Sequence, residues 1–231
     1  MISGVVFDKD GTLFDFRRTW GGWAAMLLAE LGGGDRGRVR ALGQAIGYDT
    51  GAGEFHPDSP VIAGTPDEVA GCLLPLLPEW EAMALIDRMN HLAARAPLAE
   101  AAPLIPLMGG LRASGLRLAV ATNDAEAPAR AHLAAAGIAG LFDFVAGFDS
   151  GHGAKPAPGQ LLAFAAEVRI APDRIVMVGD SLHDLHAGRA AGMRTVAVLT
   201  GIATAADLSP HADAVLPDIS ALPGWIAAHA A

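Results

Sequence analysis

The chain has 231 residues, 52% of them hydrophobic, and a formal net charge of −9. That length suits one sizeable domain with an insertion or two small domains, and the acidic balance leaves no continuous basic footprint for nucleic acid. No uncharged stretch reaches the roughly 18 residues of a membrane span, and the single cysteine, Cys72, excludes an intramolecular disulfide framework. A cytoplasmic protein without nucleic-acid or membrane partners is therefore expected, as a monomer or a homodimer. With a strand-like run starting at Gly4, no cleavable signal peptide is expected.

The first element is the apolar run Val5-Val6-Phe7, which reads as a buried strand over residues 4–8. It stops at two carboxylates, Asp8 and Asp10, on either side of Lys9. Burying one carboxylate at a strand end is costly, and a second two positions on adds repulsion. Residues two apart in an extended segment share a side, so both acids are placed to face one pocket. Gly11 permits a turn close to a ligand, and the Gly11 and Thr12 amides are candidate donors to an anion.

Residues 15–97 break the strand rhythm. Phe16, Trp20, Trp23, Leu27 and Leu31 recur at helical spacing, as do Leu85, Met89 and Leu92. The glycine- and proline-rich stretch between them, 47–68, reads as a long loop that ends in a helix start at Pro66-Asp67-Glu68. Asp15 is a candidate cap for the first of these helices. Arg17 and Arg18 then either reach a substrate carboxylate or second phosphate, or stand as solvated helix-face arginines. His56 and Asp58 are candidate specificity residues in the loop.

From residue 98 onward strands and helices alternate. Strands are expected over 118–123, 142–148, 175–179, 195–199 and 213–216, and helices over 125–136, 159–168 and 182–191. Ser181 is a candidate N-cap, and Gly137 and Gly192 are candidate C-caps. This order argues for an α/β fold: a Rossmann-like open parallel sheet with an inserted all-helical cap. The division is core 1–14, cap 15–97, core 98–231.

Three more polar groups sit at strand ends: Thr122-Asn123, Lys155 in "GHGAKPAPG", and Asp180 with Asp184 in "GDSLHD". Parallel strands bring such ends to one edge of the sheet. The carboxylates would repel there unless a hard divalent cation, Mg²⁺ by its oxygen preference, supplied countercharge.

Together, Asp8-Lys9-Asp10-Gly11-Thr12-Leu13, Thr122-Asn123, Lys155-Pro156 and Gly179-Asp180-Ser181-Leu182-His183-Asp184 resemble the four motifs of the haloacid dehalogenase superfamily, in the right order. The cap between the first two motifs resembles that of the phosphoglycolate phosphatase-like branch. The resemblance implies that Asp8 attacks phosphorus, and that Asp10 protonates the leaving oxygen and later activates water. It also implies that Thr122 and Lys155 grip the phosphoryl group, with the Asn123 amide assisting. Mg²⁺ would be held by Asp8, the Asp10 carbonyl, Asp180 and Asp184. The acid at position 10 suits an alkoxide leaving group instead of a halide.

A phosphatase acting on a small phosphorylated substrate is thus expected, with 2-phosphoglycolate the first candidate. A phosphomutase of the β-phosphoglucomutase type is the enzymatic alternative, and a phosphate-sensing regulatory module a remote one. Lys9 stands where the family usually has an apolar residue. It is expected to turn away from the pocket toward an acidic partner, or else to reach a neighbouring carboxylate. His152, His183 and His186 are expected to stabilise loops or lie at the surface, Trp20 and Trp23 to be core, and Cys72 to be a buried small hydrophobe.

Overall fold

The computed structural model describes residues 1–229. Strand β1 (Gly4–Phe7) is followed by α1 (Phe16–Gly32), α2 (Arg36–Ala45), the strands β2 (Tyr48–Asp49) and β3 (Glu54–Phe55), then α3 (Pro66–Leu73) and α4 (Ala82–Ala93). The chain then alternates: α5 (Leu104–Ala113), β4 (Arg117–Ala121), α6 (Glu126–Ala135), β5 (Phe144–Ala146), α7 (Gly159–Val168) and β6 (Ile175–Gly179). It finishes with α8 (Leu182–Ala190), β7 (Arg194–Val198), α9 (Ala205–Leu208), β8 (Ala214–Leu216) and α10 (Leu222–Ala228).

Six strands form one sheet in the order β5-β4-β1-β6-β7-β8, and every pairing is parallel. Side-chain alternation explains why both faces are covered. Val5 and Phe7 join Leu118, Val120, Val176 and Val178 in a cluster with Leu104, Met108 and Leu133 from α5 and α6. Val6 points the other way and meets Ala119, Met177, Leu161 and Phe164. Each fully buried large side chain contributes about 1.5–3 kcal/mol relative to exposure. Phe7→Ala, in the central strand, should therefore cost about 3–5 kcal/mol.

The segment between β1 and β4 has a hydrophobic cluster of its own. Phe16, Trp20, Trp23, Leu27 and Leu31 line one face of α1 and meet Leu42, Val69, Leu73, Leu85 and Met89. Asp15 caps α1 by accepting from the Arg18 amide at 2.9 Å. Gly33 ends the helix in the left-handed region, at φ 57°, with its N–H on the Glu30 carbonyl. Thr65 starts α3 with a capping box: its amide donates to Glu68 Oε2, and its hydroxyl accepts from the Glu68 amide. This segment is not all-helical, because β2 and β3 pair as an antiparallel hairpin inside the stretch expected to be loop.

Candidate active site

β1 lies between β4 and β6, so the carboxyl ends of all three strands meet at one edge. Asp8 follows β1, and its amide donates to the Val178 carbonyl of β6 at 2.8 Å. Lys155 reaches it from the loop before α7. The lysine Nζ lies 2.6 Å from Asp8 Oδ1 and 2.6 Å from Asp184 Oδ1. The Asp184 carboxylate also accepts from the Ser181 amide and hydroxyl, at 3.0 and 2.7 Å. Ser181 is thus the N-cap of α8, as the sequence suggests, and the same contacts fix Asp184 toward the lysine.

Asp180 sits below this pair. Gly11, at φ +81°, and Gly201 both approach it so closely that a Cβ at either position would fall on its carboxylate. Thr12 Oγ1 donates to Asp180 Oδ1 at 3.3 Å, and Thr200 Oγ1 donates to the Gly11 carbonyl at 2.6 Å.

Asp8, Asp180 and Asp184 are all buried, and each brings a carboxylate oxygen within 4.8 Å of the others. Burial pushes the Asp8 carboxyl up to about 7; Lys155 pulls it down, while Asp184 and Asp10 push it further up. Burial, then Asp8 and Asp184, raises Asp180 well above the usual carboxylate range. For Lys155 burial works against the charge, but Asp184 and Asp8 outweigh it and hold the ammonium on. Three buried acids against one lysine, all offering hard oxygen donors, fit a divalent cation of the Mg²⁺ kind.

The expected polar groups gather, with refinements. Thr122 is buried at the end of β4 and lines the cleft with Asp8, Asp10, Asn123, Lys155, Ser181 and Asp184. The Asn123 side chain bridges segments: Nδ2 donates to the Ala63 and Lys155 carbonyls at 2.8 and 2.9 Å, and Oδ1 accepts from the Lys155 amide at 2.8 Å. Gly11 does not present its amide to an anion, because that N–H is already on the Phe14 carbonyl at 2.7 Å. Thr12 faces Asp180 and is absent from the cleft lining. Arg17 is exposed on α1 and is also absent from that lining. The Asp10 side chain stands outside the three-acid cluster; the resemblance implies only its carbonyl as a metal ligand.

Other expectations shift. Trp20 and Trp23 are core residues of the α1–α4 segment, yet both also line the cleft. Trp23 Nε1 donates to the Met89 carbonyl at 3.3 Å, whereas Trp20 Nε1 is buried with no partner among the described residues. His183 lines the cleft, while His56 and Asp58 are exposed and take no part in it. The loop residues that reach it are Val61 to Pro66, delivered by the Thr65 cap. Cys72 is half-buried. Lys9 is absent from the cleft lining and fully buried behind it, on Asp124, His132 and Asp10, of which Asp124 and Asp10 do line the cleft. Among the described residues no helix is long and apolar enough to cross a membrane.

The six-stranded parallel sheet with helices on both faces is an α/β fold that solved structures share. An HAD phosphatase from Thermococcus onnurineus superposes with a TM-score of 0.69 at 22% identity, covering 97% of this chain and 98% of that one. A β-phosphoglucomutase from Clostridium difficile gives 0.70 at 18% identity, covering 96% and 93%. The chain belongs to the haloacid dehalogenase-like hydrolase family, which matches residues 2–192. The phosphoglycolate phosphatase of Nitrosospira multiformis is 30% identical over 94% of this chain and 92% of its own length. That likeness assigns the chain to the phosphoglycolate phosphatase-like branch.

Proposed function

We propose that the protein hydrolyses a small phosphate monoester through a phosphoryl group carried on Asp8. The observation that supports this most directly is the contact of Lys155 with both Asp8 and Asp184, at 2.6 Å each, beside a third buried carboxylate. One Asp8 oxygen attacks phosphorus, the bond from phosphorus to the leaving oxygen breaks, and Asp10 gives that oxygen its proton. Asp10 then takes a proton from water as the water oxygen attacks the phosphorus. The Asp8–phosphorus bond breaks, and inorganic phosphate leaves. Lys155 and the Thr122 hydroxyl face the charge that builds on the equatorial oxygens. Asp8, Asp180, Asp184 and the Asp10 carbonyl would hold Mg²⁺, which supplies countercharge and polarises a phosphoryl oxygen when bound.

The helical segment, residues 15–97 in this reading, serves as a cap that excludes water during the reaction. Its contribution to the cleft is mainly apolar: Trp20, Trp23, Val61, Ile62, Val69 and Met89, with Thr65 and Asn90 as polar exceptions. The relatives make 2-phosphoglycolate the first ester to test. Lys155, already committed to the phosphoryl group, is the only lysine or arginine in the lining among the described residues. The glycolate carboxylate would then fall to neutral donors, the Trp20 indole N–H and the Asn90 amide.

Release of inorganic phosphate from a panel of phosphate esters, with Mg²⁺ and with chelator, tests the reading. Turnover that vanishes in Asp8→Asn supports it. A phosphoenzyme that accumulates and returns its phosphate to a sugar phosphate instead of to water would replace it with the mutase.

A further inference from the structure

Lys9 is fully buried, and its ammonium can donate three hydrogen bonds but accept none. Three acceptors meet them. Asp124 Oδ2 lies at 2.5 Å, His132 Nδ1 at 3.1 Å and Asp10 Oδ2 at 3.2 Å. A buried ammonium persists only when it is paired in this way.

Two of these partners are themselves anchored. Asp124, just past β4, takes the Ala125 amide on Oδ1 at 2.8 Å, and its own amide donates to Thr122 Oγ1 at 3.1 Å. His132 is 1% exposed on α6. Because the ammonium can only donate, His132 Nδ1 must accept, so the proton sits on Nε2 and points to the Ala93 carbonyl at 2.6 Å. Ala93 closes α4 and lines the cleft. The far end of the network is Asp10, whose second oxygen, Oδ1, is buried with no partner among the described residues. Asp10 is therefore held by one oxygen, and the other is left for something the protein does not supply.

We propose that Lys9 is a positioning residue for Asp10: clamped by Asp124 and His132, it fixes Asp10 through Oδ2 so that Oδ1 is the oxygen offered to the leaving group and then to water. The His132–Ala93 bond makes the clamp depend on α4 being docked. This rests on the reading of Asp10 as the proton carrier, and the test separates the two.

p-Nitrophenolate leaves without a proton, so a displaced Asp10 should spare the first step on p-nitrophenyl phosphate and slow only hydrolysis of the phosphoenzyme. In Lys9→Met, p-nitrophenolate release in a single turnover should stay within about threefold of wild type. Steady-state turnover should fall about 10²-fold, the scale of lost proton transfer. Asp124→Asn keeps the shape of the clamp and should show the same split at about tenfold; it carries the test if Lys9→Met does not fold. Asp10→Asn sets the signature. Equal losses in both phases for a Lys9 or Asp124 variant that melts like wild type, or no loss in either, would overturn the proposal. If Asp10→Asn itself shows no split, the proton-carrier reading fails instead.

Discussion

Lys155 Nζ and Asp8 Oδ1 meet at 2.6 Å although 147 positions separate them in the chain. The contact places a fixed cation beside the carboxylate proposed to receive phosphorus. Lys155→Met removes that charge and should lower kcat by about 10²- to 10³-fold. It also strands Asp8 and Asp184, for which losing one partner of a buried pair costs about 3–5 kcal/mol. Phosphate release and a thermal melt of the same preparation check both. Full activity in the variant would remove Lys155 from the reaction.

Metal removal should be visible in stability alone. An ion that binds only the folded state adds about 2.7 kcal/mol at one hundred times its Kd. Chelator should lower Tm, Mg²⁺ should restore it, and Asp180→Asn should flatten the response. A Mg²⁺-dependent rise that persists in Asp180→Asn would place the ion elsewhere.

Gly201→Ala addresses the same site without touching an acid. Its new Cβ would occupy the space of the Asp180 carboxylate. Either the acid or the loop after β7 must move, and Mg²⁺ affinity should fall about 10- to 100-fold, as for residues that orient a ligand. Calorimetric titration measures this directly.

Trp20→Phe keeps the aromatic packing of α1 and deletes one unpaired indole N–H. If that group receives the glycolate carboxylate, KM for 2-phosphoglycolate should rise about tenfold, the scale of one hydrogen bond to a charged group. KM for p-nitrophenyl phosphate should not move. Equal changes for both esters would mean that the substitution only disturbs packing.

Asp143 carries a pH-dependent share of the fold. Its carboxylate takes Arg112 at 2.5 Å, Arg117 at 2.8 Å and the Leu118 amide at 2.9 Å. Burial pushes its pKa up, but the Leu118 amide and the two arginines outweigh it and hold the group below its ordinary 3.8. A carboxylate with a lower pKa folded than unfolded stabilises above the unfolded value, and the gain is lost as pH falls below it. Asp143→Asn should cost about 1–3 kcal/mol at pH 7. The deficit should shrink below about pH 4. Denaturant titrations at neutral and acid pH read the difference.

Much of this was visible in the sequence because strand ends carry the chemistry. The run at Ile175–Gly179 is apolar throughout and stops at Asp180, so its boundaries and its acid are read together. Asp8 and Thr122 follow from the same rule, whereas Lys155 lies in the loop before α7, well past the end of β5. Helix α2 was not visible: only Leu42 and Gly43 are buried on it, so it has no apolar stripe to read. The β2–β3 hairpin pairs two residues on each side and leaves no alternation. Lys9 could be sent toward an acid, but its partners lie at Asp124 and in the middle of α6. Nothing local to His132 announces a contact with residue 9. Trp20 matched a core stripe, and its second duty beside the cleft depends on how α1 settles over the sheet.

The central place of β1 has a consequence for synthesis. This strand is translated first, yet its two neighbours are completed only when Arg117 to Val120 and Ile175 to Val178 have been made. Contacts so distant along the chain are slow to close. β1 must therefore wait unpaired during synthesis, and a chain cut short before β6 has neither the second neighbour of β1 nor Asp180 and Asp184. On the roles proposed for those acids, an arrested or truncated product would be inert toward phosphate esters.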